Sequence, residues 1–290
     1  MSPLEVNIHY AMEKLSNNEG GDLNVSPDQL DEWIDNAADY FREALKKQLT
    51  RKTEAPRLRM SNIGRPACQL QMALGGEKEV RKPYNHIFRM IHGDVTESIM
   101  EVILRIAGVN ITGGKNKVEL NVSNTTIRGE DDIVIDHKLY DIKSASPFAF
   151  NNKFKKGYDA MRSDDSFGYI GQLYGYTEAQ EGIEAGGWIA VDKSSGEVAV
   201  VEADMNHVEK ARIEASITET VKTIEEQRPF KRCFEPIDDT FGRKLTGLKR
   251  LCTACGFCDY VQKCWPNAEY KPHPNSKAMT KPHYWFVDED

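Results

Sequence analysis

Hydrophobic positions along the chain repeat with two different periods, and the changes of period divide it. Ser26 is an N-cap, Pro27 suits a first helical position and Gln29 completes a capping box. The run LDEWIDNAADYFREALKKQL that follows has apolar residues at helical spacing and predicts a helix. Further helices are predicted around 66–74 and over roughly 84–107. From 116 to 144 the period shortens to two: VELNVS, TIRGEDDIVI and KLYDIKS are β-rich runs separated by Ser123-Asn124 and Asp136-His137, which predicts a meander. A basic-aromatic loop, FNNKFKKGY (150–158), comes next, then a helix at about 166–181, a hairpin GWIAV–DKSSG–EVAVVEA and a long polar helix over roughly 205–227. Residues 1–25, polar and irregular with NNEGGD at 17–22, predict a loose arm. The last sixty or so residues carry cysteines and prolines with little periodicity, and after Pro266 the expectation is an extended or disordered tail.

This pattern gives an α/β chain in four parts: an N-terminal arm and helix (1–59), a core (60–232), a cysteine-rich segment (233–266) and a tail (267–290). With 290 residues, 40% hydrophobic and 29% charged, the composition is that of a globular protein with a sizeable core. There is no run of 18 apolar residues, so no membrane span is expected. The opening MSPLEVNIHYAMEKL lacks the basic-then-apolar pattern of a signal peptide. A cytoplasmic location follows as an expectation, and with it six cysteines that are not three disulfides. The net charge of −7 argues against a surface coated for nucleic acid, but charge is uneven. Basic clusters fall at 46–59, in the loop Lys153-Phe154-Lys155-Lys156-Gly157-Tyr158, and at Arg243, Lys244, Lys249 and Arg250.

Candidate chemistry centres on LYDIKSAS (139–146). Strand alternation points Asp141 and Lys143 to one side and Ile142 to the other. If this strand pairs with the preceding one through the turn near Asp136, Asp132 of GEDD lies close to Asp141. Two carboxylates in close approach repel, which a divalent cation relieves, and oxygen ligands suit Mg²⁺ or Mn²⁺. A lysine beside them can orient or help deprotonate an attacking water. A lone D-x-K is ordinarily an ion pair on a solvated strand face. Three features add to it here: Gly129-x-x-Asp132 upstream; Gln172-x-x-x-Tyr176, on one face of the following helix; and Gly93-x-x-x-Glu97 in the helix before the meander, where the glycine is expected to allow close approach.

In this order and spacing the chain resembles the PD-(D/E)XK nuclease superfamily, in particular its RecB-like branch, over roughly 60–265. The resemblance implies a restriction-endonuclease-like core, a mixed β-sheet flanked by helices. It implies metal held by Glu97, Asp132, Asp141 and the carbonyl of Ile142, with Lys143 catalytic and with Gln172 and Tyr176 positioning DNA or the lysine. RecB-like members often carry histidine four residues after the glycine. This chain has Glu97 there, as λ-exonuclease-like members do, and His92 precedes the glycine.

The segment CTACGFCDYVQKC offers Cys252, Cys255, Cys258 and Cys264. With Cys68 upstream, Cys255-x2-Cys258-x5-Cys264 is similar to the iron–sulfur RecB-like nucleases, among them the AddB nuclease domain and the exonucleases of CRISPR adaptation. That likeness implies a 4Fe–4S cluster on Cys68, Cys255, Cys258 and Cys264. A rival arrangement uses the four C-terminal cysteines for a ferredoxin-like or zinc site and leaves Cys68 free; Cys233 reads as an ordinary semi-buried thiol. A link from Cys68 to the 255–264 segment closes a loop of about 190 residues, worth on the order of 5 kcal/mol in chain entropy.

The resulting expectation is a Mg²⁺- or Mn²⁺-dependent DNA exonuclease with a structural 4Fe–4S cluster, serving repair, recombination, CRISPR adaptation or phage DNA metabolism. Its partners would be single-stranded or end-bearing DNA and a helicase, recombinase or single-strand-binding protein, with homo-oligomerisation open. Lys153, Phe154, Lys155, Lys156 and Tyr158 are the expected DNA contacts, lysines on phosphates and an aromatic ring on an unpaired base. The alternatives are a structure-specific endonuclease and a non-catalytic DNA-binding or assembly subunit.

Overall fold

The computed structural model describes residues 1–52, 55–77 and 82–288; part of the basic stretch at 46–59 and the last two residues of the tail lie outside them. The chain opens on helix α1 (Pro3–Ser16), a short 3-10 turn, and helices α2 (Pro27–Leu49), α3 (Ala67–Leu74) and α4 (His86–Ile106). Strands β1 (Ile111–Gly113), β2 (Lys117–Val122), β3 (Thr125–Glu130), β4 (Ile133–Ile135) and β5 (Lys138–Ala145) follow. Short helices α5 (Pro147–Asn152) and α6 (Tyr158–Ser163) and the longer α7 (Tyr169–Glu178) lead to β6 (Glu184–Asp192), β7 (Val198–Glu202) and α8 (His207–Glu225).

The predicted start of α2 holds in detail. The Ser26 side chain accepts from the Gln29 N–H, and the Gln29 side chain accepts from the Ser26 N–H. No residue of α2 is fully buried. Leu30, Trp33, Ala37, Tyr40, Phe41, Ala44 and Leu45 are half-buried at helical spacing, on a helix that packs against α4. The expected loose arm at 1–25 is instead largely α1. Ser2 caps it and Pro3 occupies its first turn, the same signature as at 26–27, and Ile8 and Ala11 are fully buried. The helix lies against β7, where His9 Nε2 meets the Val198 carbonyl at 2.8 Å and the Glu5 carboxylate accepts from the Val200 N–H at 3.2 Å.

The main sheet has the order β1-β4-β5-β6-β7, with β5 and β6 parallel and the other pairs antiparallel. Helices α5 to α7 make the crossover between the parallel strands. Alternation along the strands builds two cores. Ile133, Tyr140, Ile142 and Ile189 cluster with Ile8, Met100 and Leu104 of α1 and α4. Leu139, Trp188 and Ala190 cluster with Phe150, Leu173, Ile213 and Ile217 on the other face. Asp141 pairs with Trp188 and Lys143 with Ala190, so both belong to the second face.

The expected meander forms only in part. TIRGEDDIVI breaks at Asp131-Asp132: β3 pairs with β2 in a separate hairpin, while β4 joins the main sheet together with β1, a strand the pattern did not announce. The hairpin turn is held from α8, where Glu225 accepts from Ser123 Oγ, Asn124 N and Thr125 Oγ1 at 2.6–3.0 Å. Positive φ at both Asp136 and His137 makes the predicted turn between β4 and β5.

The C-terminal sixty residues also differ from expectation. Strands β8 (Ile237–Phe241), β9 (Lys244–Arg250), β10 (Glu269–Pro272) and β11 (His283–Val287) form a second sheet, ordered β10-β11-β9-β8. The single turns α9 (Thr253–Gly256) and α10 (Val261–Cys264) sit between β9 and β10. The cysteine-rich segment and the tail are therefore one unit, since β11 of the tail pairs with β9. Buried Asp239 organises it, accepting from Thr246 Oγ1 at 2.7 Å, contacting His273 Nε2 at 2.9 Å and ion-pairing with Arg250 at 3.0 Å. Among the described residues no helix is long and apolar enough to cross a membrane.

Candidate active site

The break at Asp131-Asp132 aims two adjacent carboxylates differently. Asp131 is 1% exposed and accepts from the Asn116 backbone at 2.7 Å and side chain at 3.3 Å, which anchors the loop after β1. Asp132 accepts the Ile142 N–H at 2.9 Å. Because Ile133 pairs with Tyr140, this contact sets Asp132 next to Asp141, as the strand pairing predicts. Asp141 is 2% exposed. Lys143 Nζ stands 2.6 Å from both its oxygens and donates to Oδ1, while Oδ2 is buried without a hydrogen bond.

These groups act on one another strongly. Burial pushes the Asp141 carboxyl well up, Asp132 adds to this, and Lys143 opposes it. Burial alone would lower Lys143, but Asp141 and Asp132 more than offset it and hold the ammonium charged. Glu97, from α4, is raised by burial and then by Asp132. The structure thus brings Glu97, Asp132, Asp141 and Lys143 into one electrostatic group.

Gln172 and Tyr176 of α7 are both buried, and the Tyr176 hydroxyl is raised by burial and by Asp132 and Asp141 while Gln172 hydrogen-bonds it. Gly129 explains their approach: a Cβ there would stand 2.6 Å from Met60 Cβ and 2.8 Å from Tyr176 Cε1. Gly93 does not play the expected part. A Cβ at Gly93 meets nothing within 4 Å, so open space, not a packed neighbour, lies over α4 one turn before Glu97. His92 is exposed, with Nδ1 3.1 Å from Ser144 Oγ.

Two residues that the sequence reading did not single out reach the group. Tyr40 of α2 donates to Glu97 Oε2 at 2.8 Å, and Lys115 stands 3.5 Å from the same oxygen and 4.2 Å from the centre of the Tyr40 ring. Lys115 has φ +58° in the loop clamped by Asp131. The half-buried helical face of α2 could have pointed to Tyr40; no spacing rule points to Lys115. Among the described residues no three His, Cys, Asp or Glu side chains are already gathered as a metal cage. Each acid is instead tied to a protein donor: Glu97 to Tyr40, Asp132 to the Ile142 N–H, Asp141 to Lys143. An all-oxygen donor set, with Asp141 carboxylate oxygens buried against Lys143, has the chemistry that suits a hard divalent cation.

The basic-aromatic stretch is not a loop but α5, a 3-10 turn and α6. Phe154 is 4% exposed within the core, so it cannot stack on a base, a correction to its expected role. Tyr158 stacks on Trp188 at 6.1 Å and donates to Glu209 at 3.2 Å. Lys153 binds Asp164, and Lys155 pairs with Glu197 at 2.7 Å. Lys156 is exposed, 3.3 Å from the Asn152 side chain.

The cysteines meet in pairs. Cys233, exposed at its surface, accepts the Cys68 N–H at 3.1 Å, and the two thiols share a hydrogen bond that holds Cys233 down at about 7. A hydrogen bond from Cys255 likewise lowers Cys252 to about 6. Cys258 and Cys264 lie near Cys255 and are both raised by burial. Cys252, Cys258 and Cys264 pack around buried Leu251, Cys255, Val261 and Trp265.

No family model matches the chain, and no curated protein matches it. Among solved structures, the crystal structure of SSO0001 is similar at 14% identity and a TM-score of 0.40, over 77% of this chain and 93% of that one. A likeness at that level carries no inference about activity.

Proposed function

We propose that this chain is a divalent-metal-dependent deoxyribonuclease of the PD-(D/E)XK type that digests DNA from its ends. The observation that carries the reading is the Asp132–Asp141–Lys143 group, just before β4 and on β5, with Glu97 beside it. A mixed sheet with the crossover from β5 to β6 and a helix bearing Gln172 and Tyr176 supports it further. Glu97, Asp132, Asp141 and the Ile142 carbonyl would hold Mg²⁺ or Mn²⁺, which when bound neutralises charge on the scissile phosphate and acidifies water. Lys143, kept charged by its neighbours, would orient the attacking water and stabilise the developing negative charge. Gln172 fixes the Tyr176 hydroxyl, and Tyr176 closes the back of the site over Gly129.

Cys68, Cys255, Cys258 and Cys264 would hold a 4Fe–4S cluster as a structural tie between α3 and the C-terminal unit. Thiolates suit that metal; Cys255, Cys258 and Cys264 pack together, while Cys68 hydrogen-bonds Cys233 and would have to turn toward them. End selection has to come from enclosure, because every phosphodiester presents the same charge. Tyr40 of α2 covers the Glu97 side, and the Phe257 ring of the cysteine segment lies tilted 5.3 Å from Phe167, which stacks on Tyr169 at 5.6 Å.

Asp132→Ala, Asp141→Asn and Lys143→Ala are each expected to remove Mg²⁺- or Mn²⁺-dependent digestion of end-labelled linear DNA while keeping the native circular dichroism spectrum. An Asp141→Asn protein that digests at the wild-type rate would refute the site. A closed single-stranded circle is expected to resist the enzyme; equal loss of circle and linear form would turn the reading to an endonuclease.

A further inference from the structure

A cationic side chain outside the acid group stands without a partner. Arg65 makes no hydrogen bond or ion pair with any described residue, and its Nε is fully buried. Only Nε is shut away from water; the two terminal nitrogens of the guanidinium are not among the buried unpaired atoms and stay open to an incoming acceptor.

Its placement is over-determined. A Cβ on Gly64 would fall 2.2 Å from the Gly168 carbonyl oxygen, one on Gly168 would fall 2.6 Å from the Arg65 nitrogen, and one on Gly171 would fall 2.5 Å from the Gly64 Cα. Glycine at 64, 168 and 171 thus lets the chain before Arg65 lie directly on the start of α7. The first residue of α7 is Tyr169, and Lys143 Nζ stands 5.1 Å above its ring. The Arg65 guanidinium acts electrostatically on both Tyr169 and Cys258. Asp165, the nearby carboxylate, is already taken by the Tyr169 and Ile170 N–H groups at 2.7 and 2.9 Å.

We infer that Arg65 is a phosphate-binding residue, receiving a phosphate of the nucleic-acid strand other than the one at Lys143. The inference rests on the proposed nuclease reading for the identity of the strand. A guanidinium fork matches two phosphate oxygens, which the two terminal nitrogens of Arg65 can receive while the buried Nε holds the fork in place. The phosphate is either internal to the strand or terminal; both present the same oxygens to Arg65.

Binding in EDTA, where no turnover occurs, tests this. The probes are one fluorescent single-stranded oligonucleotide with hydroxyl ends and the same strand with a 5′- or a 3′-phosphate, titrated over a salt series. Arg65→Gln is expected to weaken binding about tenfold and to lower the slope of log affinity against log salt by about 0.7. A loss common to all three probes assigns an internal phosphate, and a loss confined to one phosphorylated probe assigns that terminus. Unchanged affinity and slope on all three overturn the inference. Should Arg65→Gln fail to fold, Arg65→Lys decides: severalfold weaker binding with the slope retained supports the fork, and wild-type binding overturns it. Because no cleavage is read, an inactive protein would sink the nuclease reading without deciding this one.

Discussion

Glu97 holds three roles at once: it accepts from Tyr40, faces Lys115 and repels Asp132. Its raised pKa has a definite consequence for stability. Above the ordinary glutamate value of about 4.3, the native state keeps a proton that the unfolded chain releases. The stability of the metal-free protein therefore falls as pH rises from there toward the folded pKa, and Asp141 contributes in the same sense. Asp239 has the opposite sign: despite burial, its Thr246 and His273 hydrogen bonds hold it low, so its contribution is lost on acidification. Glu97→Gln leaves Asp239 untouched. Thermal midpoints in EDTA from acid to neutral pH are expected to fall less steeply for Glu97→Gln than for wild type. Added Mn²⁺ is expected to stabilise wild type increasingly as pH rises, since the ion replaces a proton. Parallel slopes for the two proteins would show that Glu97 titrates normally.

At the scale of elements, Gly93 and Gly129 have different consequences. Gly129→Ala is expected to displace Tyr176 or Met60 and to lower activity, whereas Gly93→Ala meets open space and is expected to stabilise α4 by up to about 1 kcal/mol. Midpoints of chemical unfolding would check both, and destabilisation by Gly93→Ala would contradict the open face. Helix α1 makes a further test: Ile8 is fully buried, so Ile8→Ala is expected to cost about 2–5 kcal/mol, where a loose arm would show no change. Much of this scale was legible. The capping box of α2, the turn at Asp136-His137 and the Asp132–Asp141 approach follow from local rules, because caps, turns and strand registers act over a few residues. The Ser2-Pro3 cap was equally readable but was overshadowed by the polar NNEGGD that follows. The break between β3 and β4 was not readable, since it depends on Asp131 finding Asn116 across a loop. The burial of Phe154 was hidden for a similar reason: a lysine-rich stretch looks solvated until its aromatic residue meets a core made elsewhere. The second sheet depends on Asp239 meeting His273 and on tail strand β11 returning to β9, pairings too distant for periodicity to reveal.

Over the whole molecule, Cys68 of α3 meets Cys233, and the other four cysteines pack within the C-terminal unit. Protein purified without oxygen is expected to be brown and to contain iron and sulfide, and to bleach when Cys68, Cys255, Cys258 or Cys264 is replaced. Colourless protein with stoichiometric zinc would refute the cluster, and bleaching by Cys233→Ser would move the ligand set onto the Cys68–Cys233 pair. The contact of α1 with β7 has another consequence, for the order of events during synthesis. Helix α1 is made roughly 190 residues before the strand β7 that it packs against, a loop whose closure carries a substantial entropic cost. Ile8 can meet Met100 and Leu104 of α4 earlier, but until β7 emerges His9 and Glu5 lack their backbone partners. Once β7 has formed at the rim of the sheet, its outward Val198 carbonyl and Val200 N–H wait for His9 and Glu5. In that interval the rim is an open template for another chain, so the N-terminal helix acts as a late-arriving cover that keeps newly made copies from joining strand to strand.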